Sequence, residues 1–293
     1  MGEKRLKRIV LTGCKGLLGT AFLEELSSFE VWPLEHRDLE NQDEGKILEL
    51  FDSIKPDTVF NCAAHTDLEA AERDPAIDYR TNAQLPGLIA VACKKFGVTM
   101  VHFSSTGCYG KWKTTPYTEE DALHPTTKHH IAKRDGEDAI RMSGCNWLIF
   151  RLGWLYGGAP KMRKNFVWNR LIEAASVSQL SSDTSQMGCP TYVKNVAQQS
   201  MRVVDAGHTG VFNLTAHGYA SRFEYVSEII KASKLLCSVT PRQAFPRLAP
   251  VSGNEMALNQ RLQQIGLDAM PNWRTPLNAY VQELITSPEW LAS

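Results

Sequence analysis

Three glycines near the amino terminus constrain the fold of this chain more than any other feature. Gly13, Gly16 and Gly19 follow the apolar run Arg8–Thr12, which predicts a buried strand, and they open the stretch Leu17–Ser27, which predicts a helix. In such a unit the first glycine permits a tight turn, the second lets the backbone approach a ligand, and the third allows close packing of helix on strand. Free N–H groups and the helix dipole favour an anion there, so the loop predicts a site for the diphosphate of a dinucleotide.

The loop and the end of the second strand hold the first candidate cofactor contacts. The loop candidates are Gly13, Cys14, Lys15, Gly16, Leu17, Leu18 and Gly19. Glu35, about 20 residues beyond the loop, is placed to bind a ribose 2′-hydroxyl, which favours NAD. Lys15 and His36–Arg37 are placed to hold a 2′-phosphate instead, although the two cations are also typical of a solvated surface. The expected cofactor is NADP or NAD, with a slight preference for NADP.

Short apolar runs alternate with amphipathic stretches through the first half of the chain. The predicted strands are Arg8–Thr12, Val31–Leu34, Thr58–Asn61, Thr99–Phe103 and Asn146–Arg151, and the predicted helices are Leu17–Ser27, Gly45–Ile54, Asn82–Phe96 and His129–Ser143. This order predicts an α/β fold, a doubly wound parallel sheet with helices on both faces. We expect a dinucleotide-binding Rossmann domain over residues 1–156. Residues 157–293 are expected to form mostly a smaller substrate-binding cap, with about 191–218 returning to the sheet.

Composition excludes several classes of function. The 293 residues include 32 basic and 32 acidic side chains, so the chain lacks the cationic surplus of a protein that binds nucleic acid. No apolar run approaches the roughly 18 residues of a membrane span, and we expect no membrane association. Seven scattered cysteines are typical of reduced thiols in a cytoplasmic protein. No His, Cys or carboxylate spacing suggests a metal site.

Several further segments resemble one known family in the same order along nearly the whole chain. They are Asn61–Thr66, Asn82–Ala83, Ser104–Ser105, Pro125–Glu137, Arg151–Gly157, Asn165–Phe166, Gln186–Thr191 and Trp273–Arg274. With the glycine loop, they resemble the extended short-chain dehydrogenase/reductases, and within them the dTDP-4-dehydrorhamnose reductases. The resemblance implies a Rossmann domain, a carboxyl-terminal cap and a cleft between them. It also makes Cys62, Ala63 and Ala64 candidate cofactor contacts.

In that family a hydroxyl residue, a tyrosine and a lysine carry the reduction. The tyrosine exchanges a proton with the reacting oxygen, the hydroxyl residue orients that oxygen, and the lysine binds the nicotinamide ribose. Ser105 matches the hydroxyl residue and Lys133 the lysine, but the tyrosine position of the Tyr-x-x-x-Lys motif is His129. The three are the candidate catalytic residues, and Lys133 is also a candidate cofactor contact.

The missing tyrosine leaves three interpretations open. His129 serves as the acid/base, or the chain binds nucleotide without ordinary reductase chemistry, or another tyrosine takes part, with Tyr109 the nearest. An unperturbed histidine has a pKa of ~6.5 against ~10 for tyrosine. Lys133 and the positive end of a helix are expected to lower the pKa of His129 further, leaving it neutral at pH 7.

Two other departures from the family concern the substrate. The family usually continues Asp-Tyr-Val-Phe-Asp-Gly after the hydroxyl residue, whereas this chain has Thr106–Lys111, closer to epimerase-like members. An Arg-Pro pair expected on the cap is absent from Val251–Asn254, with Arg247 displaced upstream. Cations of the 161–164 loop could supply anion contacts, or could simply be exposed. The candidate substrate contacts are Thr66, Thr106, Trp154, Asn165 and Phe166.

The expected function is therefore an NAD(P)-dependent oxidoreductase. Its expected substrate is a sugar-like or nucleotide-sugar carbonyl or hydroxyl compound such as a dTDP-4-keto-6-deoxysugar. A regulatory nucleotide-binding subunit, resembling the regulatory subunit of methionine adenosyltransferase, is one alternative. A non-redox epimerase or lyase is another. The expected partner is a small-molecule substrate, with a homodimer or a partner enzyme also possible.

Overall fold

Six parallel strands form the central sheet in a computed structural model that describes residues 8–39, 43–244 and 246–292. The strands of the molecule are β1 (Arg8–Thr12), β2 (Glu30–Leu34), β3 (Thr58–Asn61), β4 (Thr99–Ser105), β5 (Asn146–Leu152), β6 (Trp154–Tyr156), β7 (Gln179–Asp183), β8 (Met187–Gly188), β9 (Pro190–Tyr192), β10 (Gly210–Leu214), β11 (Ala220–Ser221) and β12 (Ser238–Arg242). The central sheet has the order β10-β5-β4-β3-β1-β2 with every neighbouring pair parallel.

Helices cover both faces of this sheet. They are α1 (Leu17–Glu25), α2 (His36–Leu39), α3 (Glu44–Ile54), α4 (Leu68–Arg73), α5 (Pro75–Tyr79), α6 (Leu85–Phe96), α7 (Lys128–Ser143), α8 (Phe166–Ser176), α9 (Val193–Asp205), α10 (Arg222–Ser233), α11 (Gln260–Gln264), α12 (Arg274–Ile285) and α13 (Pro288–Leu291). Phe22 of α1 and Val196 of α9 belong to one buried cluster, and Phe51 of α3 and Ile89 of α6 to another. The arrangement confirms the predicted doubly wound α/β fold.

The chain leaves β1 for β2 on one side and then returns to β3 on the other. Ligands of open α/β sheets bind outside the carboxyl ends of the strands at such a reversal. The edge position of β2 agrees with Pro33, which cannot donate to a sheet ladder. The fold thus places the candidate site where β1, β3, β4 and β5 end.

The second half of the chain has a core of its own. Tyr156, Trp168, Tyr225 and Trp273 are buried in one cluster, around which three two-stranded ladders form. Helix α9 and strand β10 instead pack with the central sheet. A functional division into a nucleotide-binding part and a substrate cap stays a prediction.

Two local features differ from the predicted elements. The predicted helix Asn82–Phe96 begins at Leu85, because Arg80–Gln84 form a π-helical turn that joins α5 to α6. The fourth strand continues to Ser105, two residues beyond its predicted end, and so carries that side chain to the sheet edge. All seven cysteines are free thiols. Within the described residues, no helix combines the length and apolarity needed to cross a bilayer.

Candidate functional site

A cavity of about 650 Å³ opens at the carboxyl ends of β1, β3, β4 and β5 and extends to the second half of the chain. Many of the residues proposed from the sequence line it: Lys15, Gly16, Leu17, Leu18, Cys62, Ala64, Thr66, Ser105, His129, Lys133 and Trp154. Members of the cofactor, catalytic and substrate sets thus lie together in one cleft.

The glycine loop has the geometry that its spacing predicts. Gly13 takes a φ of +64°, and a Cβ there would lie 2.7 Å from the backbone of Cys62 and Ala63. A Cβ on Gly19 would overlap the carbonyl oxygen of Gly13, whereas on Gly16 it would stay 3.3 Å from that atom. Gly13 and Gly19 therefore make the tight turn and the close helix packing possible. Gly16 caps α1 without a side-chain hydrogen bond.

Charged side chains gather at the end of β2. Lys15 Nζ lies 2.7 Å from one Glu35 carboxylate oxygen, and Arg37 Nε lies 3.7 Å from the other. Both cations are mostly exposed, whereas Glu35 is half-buried. Asp38 also belongs to this cluster, with a carboxylate oxygen 3.9 Å from Arg37 Nε, so the two cations and two carboxylates balance in formal charge. Cys14 is buried in the same loop, and the side chain of His36 lies outside the described part of the structure.

Ser105 ends β4 and lines the cleft. Its Oγ accepts a hydrogen bond from the Gly107 N–H at 3.1 Å and lies 3.4 Å from His130 Nε2. Thr127 Oγ1 accepts the His130 backbone N–H and lies 3.0 Å from His130 Nδ1. When the Thr127 hydroxyl donates to Nδ1, Nε2 carries the hydrogen and donates to Ser105, and the Ser105 hydroxyl can then donate to a ligand oxygen. In the other tautomer Nδ1 donates to Thr127 and the Ser105 hydroxyl donates to Nε2.

Gly107 makes the position of His130 possible. A Cβ on Gly107 would collide with the His130 ring. Position 107 therefore accommodates glycine and no larger residue while His130 keeps this place.

His129 is anchored by a buried carboxylate. Its Nδ1 lies 3.0 Å from Oδ1 of Asp78, which also accepts hydrogen bonds from His65 Nδ1 at 2.9 Å and Asn82 Nδ2 at 3.0 Å. Asp78 lies on α5 and is 1% exposed, and His129 is on the first turn of α7. Nε2 of His129 has no hydrogen-bond partner among the described residues, and the ring lines the cleft.

Burial and charge keep both histidines neutral near pH 7. Burial is the main cause of the lowered pKa of His129, and Lys133 contributes, while Asp78 acts in the opposite direction. Burial, with the nearby positive charges, lowers the pKa of His130 to about 3. The expected lowering by Lys133 is therefore present, but desolvation outweighs it, and the sequence did not predict the opposing carboxylate.

Lys133 is buried one helical turn after His129. Its Nζ donates a 2.9 Å hydrogen bond to the Phe103 carbonyl oxygen. Burial lowers the pKa of the ammonium. An ammonium has three hydrogens, so Nζ retains donors for a ligand in the cleft.

Tyr109 cannot substitute for the missing tyrosine. It is fully buried, its hydroxyl donates to Asn213 at 2.8 Å, and it accepts from Arg151 Nη1 at 3.0 Å. Burial raises the pKa of Tyr109 to about 12. This alternative is excluded by the placement of the ring in the core.

The opposite wall of the cleft is a bonded polar cluster. Trp154 Nε1 donates to Glu255 at 2.7 Å, and Gln186 Nε2 lies 3.4 Å from the other carboxylate oxygen. The Arg222 guanidinium lies 3.5 Å from the Trp154 ring centre and donates to Gln186. Burial raises the pKa of Glu255, although Arg222 acts to lower it.

A second cavity, of about 640 Å³, adjoins the first on the cap side. Gln186, Arg222, Arg247 and Val251 line both cavities. Arg247 Nε also bonds Glu69 of α4 at 3.0 Å. Arg163 and Lys164 of the basic loop line the first cavity. The cleft wall is therefore cationic although the chain is neutral overall.

The five candidate substrate contacts separate by position. Trp154 and Thr66 line the first cavity, and Phe166 lines the second. Thr106 is 1% exposed. Asn165 is fully buried: it caps α8 by accepting from Trp168 N and donates to Ala159 O and Tyr280 Oη. Enclosure keeps Thr106 and Asn165 from touching a ligand in this arrangement.

Asp78, Arg222 and Glu255 are site residues that sequence reasoning missed. Asp78 stands among other acids with no motif around it, and it lies on the short helix α5, which precedes the π-helical turn. Arg222 and Glu255 come from segments far along the chain. His65, which also bonds Asp78, could be predicted from the sequence as a site residue, because it follows β3 and ligands bind where parallel strands end.

Comparison with known proteins agrees with this geometry. The model of the RmlD substrate binding domain family matches residues 7–286. A dTDP-4-dehydrorhamnose reductase of Burkholderia thailandensis is 26% identical over 300 residues, covering 95% of this chain and 99% of that protein.

Two solved structures share the fold over nearly their full length. A crystal structure of a dTDP-4-dehydrorhamnose reductase from Clostridium acetobutylicum has a TM-score of 0.91 at 28% identity, covering 94% of this chain and 99% of that one. The enzyme of the same name from Bacillus anthracis, solved in complex with NADP, has a TM-score of 0.90 at 24% identity, covering 95% and 99%.

Proposed function

The chain belongs to the RmlD substrate binding domain family, and we propose from this that it is an NAD(P)-dependent oxidoreductase of a nucleotide sugar. The reaction interconverts a ring carbonyl and a hydroxyl. A dTDP-4-keto-6-deoxysugar is the substrate we propose, because the relatives over nearly the whole length are dTDP-4-dehydrorhamnose reductases.

The cofactor we propose is NADP. The turn formed by the three glycines ends at the amino terminus of α1, where Gly16 is the N-cap and makes no side-chain hydrogen bond. The free N–H groups there suit a diphosphate. Lys15 and Arg37 are exposed cations at the end of β2 that suit a 2′-phosphate, although Glu35 and Asp38 balance their charge. The B. anthracis reductase of the same fold holds NADP.

NADP bound in this cleft would supply the hydride in reduction or accept it in oxidation, and the chain would correspondingly supply or accept the proton. We assign the proton transfer to His129, in the position of the family's tyrosine. In reduction the imidazolium donates from Nε2 to the oxygen of the carbonyl, and in oxidation neutral Nε2 accepts the proton of the hydroxyl. Ser105 donates a hydrogen bond to the same oxygen, and Lys133 donates to the nicotinamide ribose.

The nucleotide part of the substrate is assigned to the cap side. Arg222 and Arg247 line both cavities, and guanidinium groups pair well with phosphate oxygens. The sugar then lies against Trp154, between Ser105 and Glu255. In this proposal Arg247 has the role of the arginine that is absent from Val251–Asn254.

The observation that carries the proposal is the meeting of His129, Ser105 and Lys133 with the glycine loop in one cavity. It is tested by following NADPH consumption with a dTDP-4-keto-6-deoxysugar for the wild-type protein and for His129→Phe. We expect the variant to lose turnover by about 10²-fold or more, the usual size of general acid–base catalysis. The Kd of NADPH should stay within a few-fold.

His124→Phe is the matched control, because His124 is exposed and contacts Trp112 edge-on outside the cleft. It should keep full turnover. Undiminished turnover in His129→Phe would remove His129 from the reaction. Absence of NADPH binding in the wild-type protein would contradict the whole proposal and favour a non-redox or regulatory role.

A further inference from the structure

Beneath His129 lies a carboxylate that no general property of the fold requires. Asp78 is 1% exposed. Its Oδ1 accepts hydrogen bonds from His129, His65 and Asn82. Its Oδ2 has no hydrogen-bond partner among the described residues. A buried polar atom without a partner costs free energy, so such an arrangement needs a compensating use. Of the three donors, His129 lines the cleft.

We propose that Asp78 is a positioning residue for His129, holding the imidazole with its hydrogen on Nδ1 and its Nε2 lone pair toward the cleft. The inference rests on the proposed function for its catalytic consequence. The tautomer itself is a property of the free protein.

The hydrogen-bond inventory fixes this tautomer. Two hydrogens of Asn82 Nδ2 are used by the His65 carbonyl oxygen at 2.9 Å and by Asp78 Oδ1 at 3.0 Å. None is left for His129 Nδ1, which lies 3.4 Å away. An ionised carboxylate accepts only, so the His129 Nδ1 that faces Asp78 must carry the hydrogen. Nε2 is then the unprotonated nitrogen.

The carboxylate also compensates charge on His129. Burial alone would raise the pKa of Asp78, but hydrogen bonds from His129, His65 and Asn82 lower it overall, so the group is ionised near neutrality. When Nε2 takes a proton, the resulting imidazolium faces that anion directly. An aspartate placed behind a histidine base stabilises the imidazolium in the same way without itself gaining the proton.

The groups that face His129 have opposite effects on its protonation. Lys133 on the same helix opposes protonation, and so does His65 from the loop after β3, while Asp78 of α5 favours it. His130 is neutral and faces Ser105. Without Asp78, burial and Lys133 would act unopposed, and the imidazolium needed for reduction would form only in more acidic solution.

The test begins with histidine ¹⁵N NMR of the protein without ligand, with His129→Phe used to assign the signal. In the wild type we expect the His129 signals of the Nδ1–H tautomer. In Asp78→Asn the amide can donate to Nδ1, so the hydrogen should shift to Nε2 or exchange between the two. If the neutral His129 of the wild type carried its hydrogen on Nε2, that result alone would overturn the proposal, with no need of a variant.

Kinetics supply the second readout. Asp78→Asn should lower kcat by about 10²- to 10⁴-fold, as expected for a base held in the wrong tautomer, with KM within a few-fold. Asp78→Glu should recover part of the loss. Asp74→Asn is the matched control, since Asp74 caps the same short helix by accepting from Ala76 N, which asparagine can also do.

The outcomes separate this inference from the proposed function. A shifted tautomer in Asp78→Asn supports the positioning role even if no substrate is turned over, a result that would contradict only the proposed function. Lost turnover with an unchanged His129 tautomer would overturn the inference, because it would mark Asp78 as a merely structural residue. Full turnover in Asp78→Asn would overturn it as well.

Discussion

Two adjacent histidines on the first turn of α7 face different partners. His129 meets Asp78, and its free nitrogen faces the cleft, whereas His130 is enclosed between Thr127 and Ser105. Their rings are 5.0 Å apart and meet edge to face. One side chain is therefore suited to exchange a proton and the other to hold Ser105 in place.

The enclosed histidine makes the stability of the protein depend on pH. The pKa of His130 is about 3 in the folded chain, against ~6.5 when unfolded. Below pH ~6.5 the unfolded chain gains a proton that the folded chain does not take until about pH 3. The free energy of unfolding should therefore fall as the pH drops through that window.

Urea unfolding at several pH values between 7 and 4 measures this effect. His130→Gln removes the titration and keeps a side-chain donor for Ser105, so its free energy of unfolding should depend less steeply on pH. The exposed His124→Gln should behave as the wild type does. Equal slopes for His130→Gln and the wild type would show that His130 is not the group responsible.

Helix α7 carries the site on one face. His129, Lys133 and Glu137 are spaced by four residues, so they lie along the same side of the helix. Glu137 is fully buried and accepts hydrogen bonds from Arg151 of β5, with Nε 3.0 Å from one carboxylate oxygen and Nη2 2.7 Å from the other, and from Arg141 Nη2 at 2.8 Å. Arg151 also donates to Tyr109. This ion pair anchors α7 to the sheet and so fixes where His129 lies relative to the sheet edge.

Removing one partner of that ion pair should be costly. Glu137→Gln leaves the Arg151 guanidinium buried without a full counter-charge, and we expect a loss of about 3–5 kcal/mol in the free energy of unfolding. Asp138→Asn is the control, because Asp138 is exposed and bonds Arg141 at the surface of the same helix. A loss no larger than that of the control would contradict the anchoring role.

The sequence predicts the helices and strands of the central sheet better than it predicts the residues of the site. Gly97, with a φ of +70°, ends α6 as its position predicts, and the apolar runs gave five strands of the sheet because parallel strands are buried on both faces. The short ladders of the second half carry no such run: Gln179–Asp183 alternates exposed and buried positions, and Leu180 is the one apolar residue in that segment. Asp78, Arg222 and Glu255 meet the site only through tertiary packing, which no local pattern encodes.

At the scale of the whole molecule, a neutral chain encloses a charged cleft. Arg163, Lys164, Arg222 and Arg247 line it beside Glu255. The Arg247–Glu69 pair, with Glu69 also accepting the Leu248 N–H at 2.9 Å, joins the cap side to the sheet side at this cleft. A phosphorylated substrate would be held by this local charge, which the neutral overall balance does not reveal.

The most direct test of the central claim is the pH dependence of kcat/KM for reduction in the wild type and in His129→Tyr. If His129 is the acid, wild-type kcat/KM should fall as pH rises through the lowered His129 pKa, below ~6.5. Tyrosine, with an unperturbed pKa of ~10, should move that fall to higher pH. The same pH dependence in both proteins would contradict the assignment of His129 as the group that exchanges the proton.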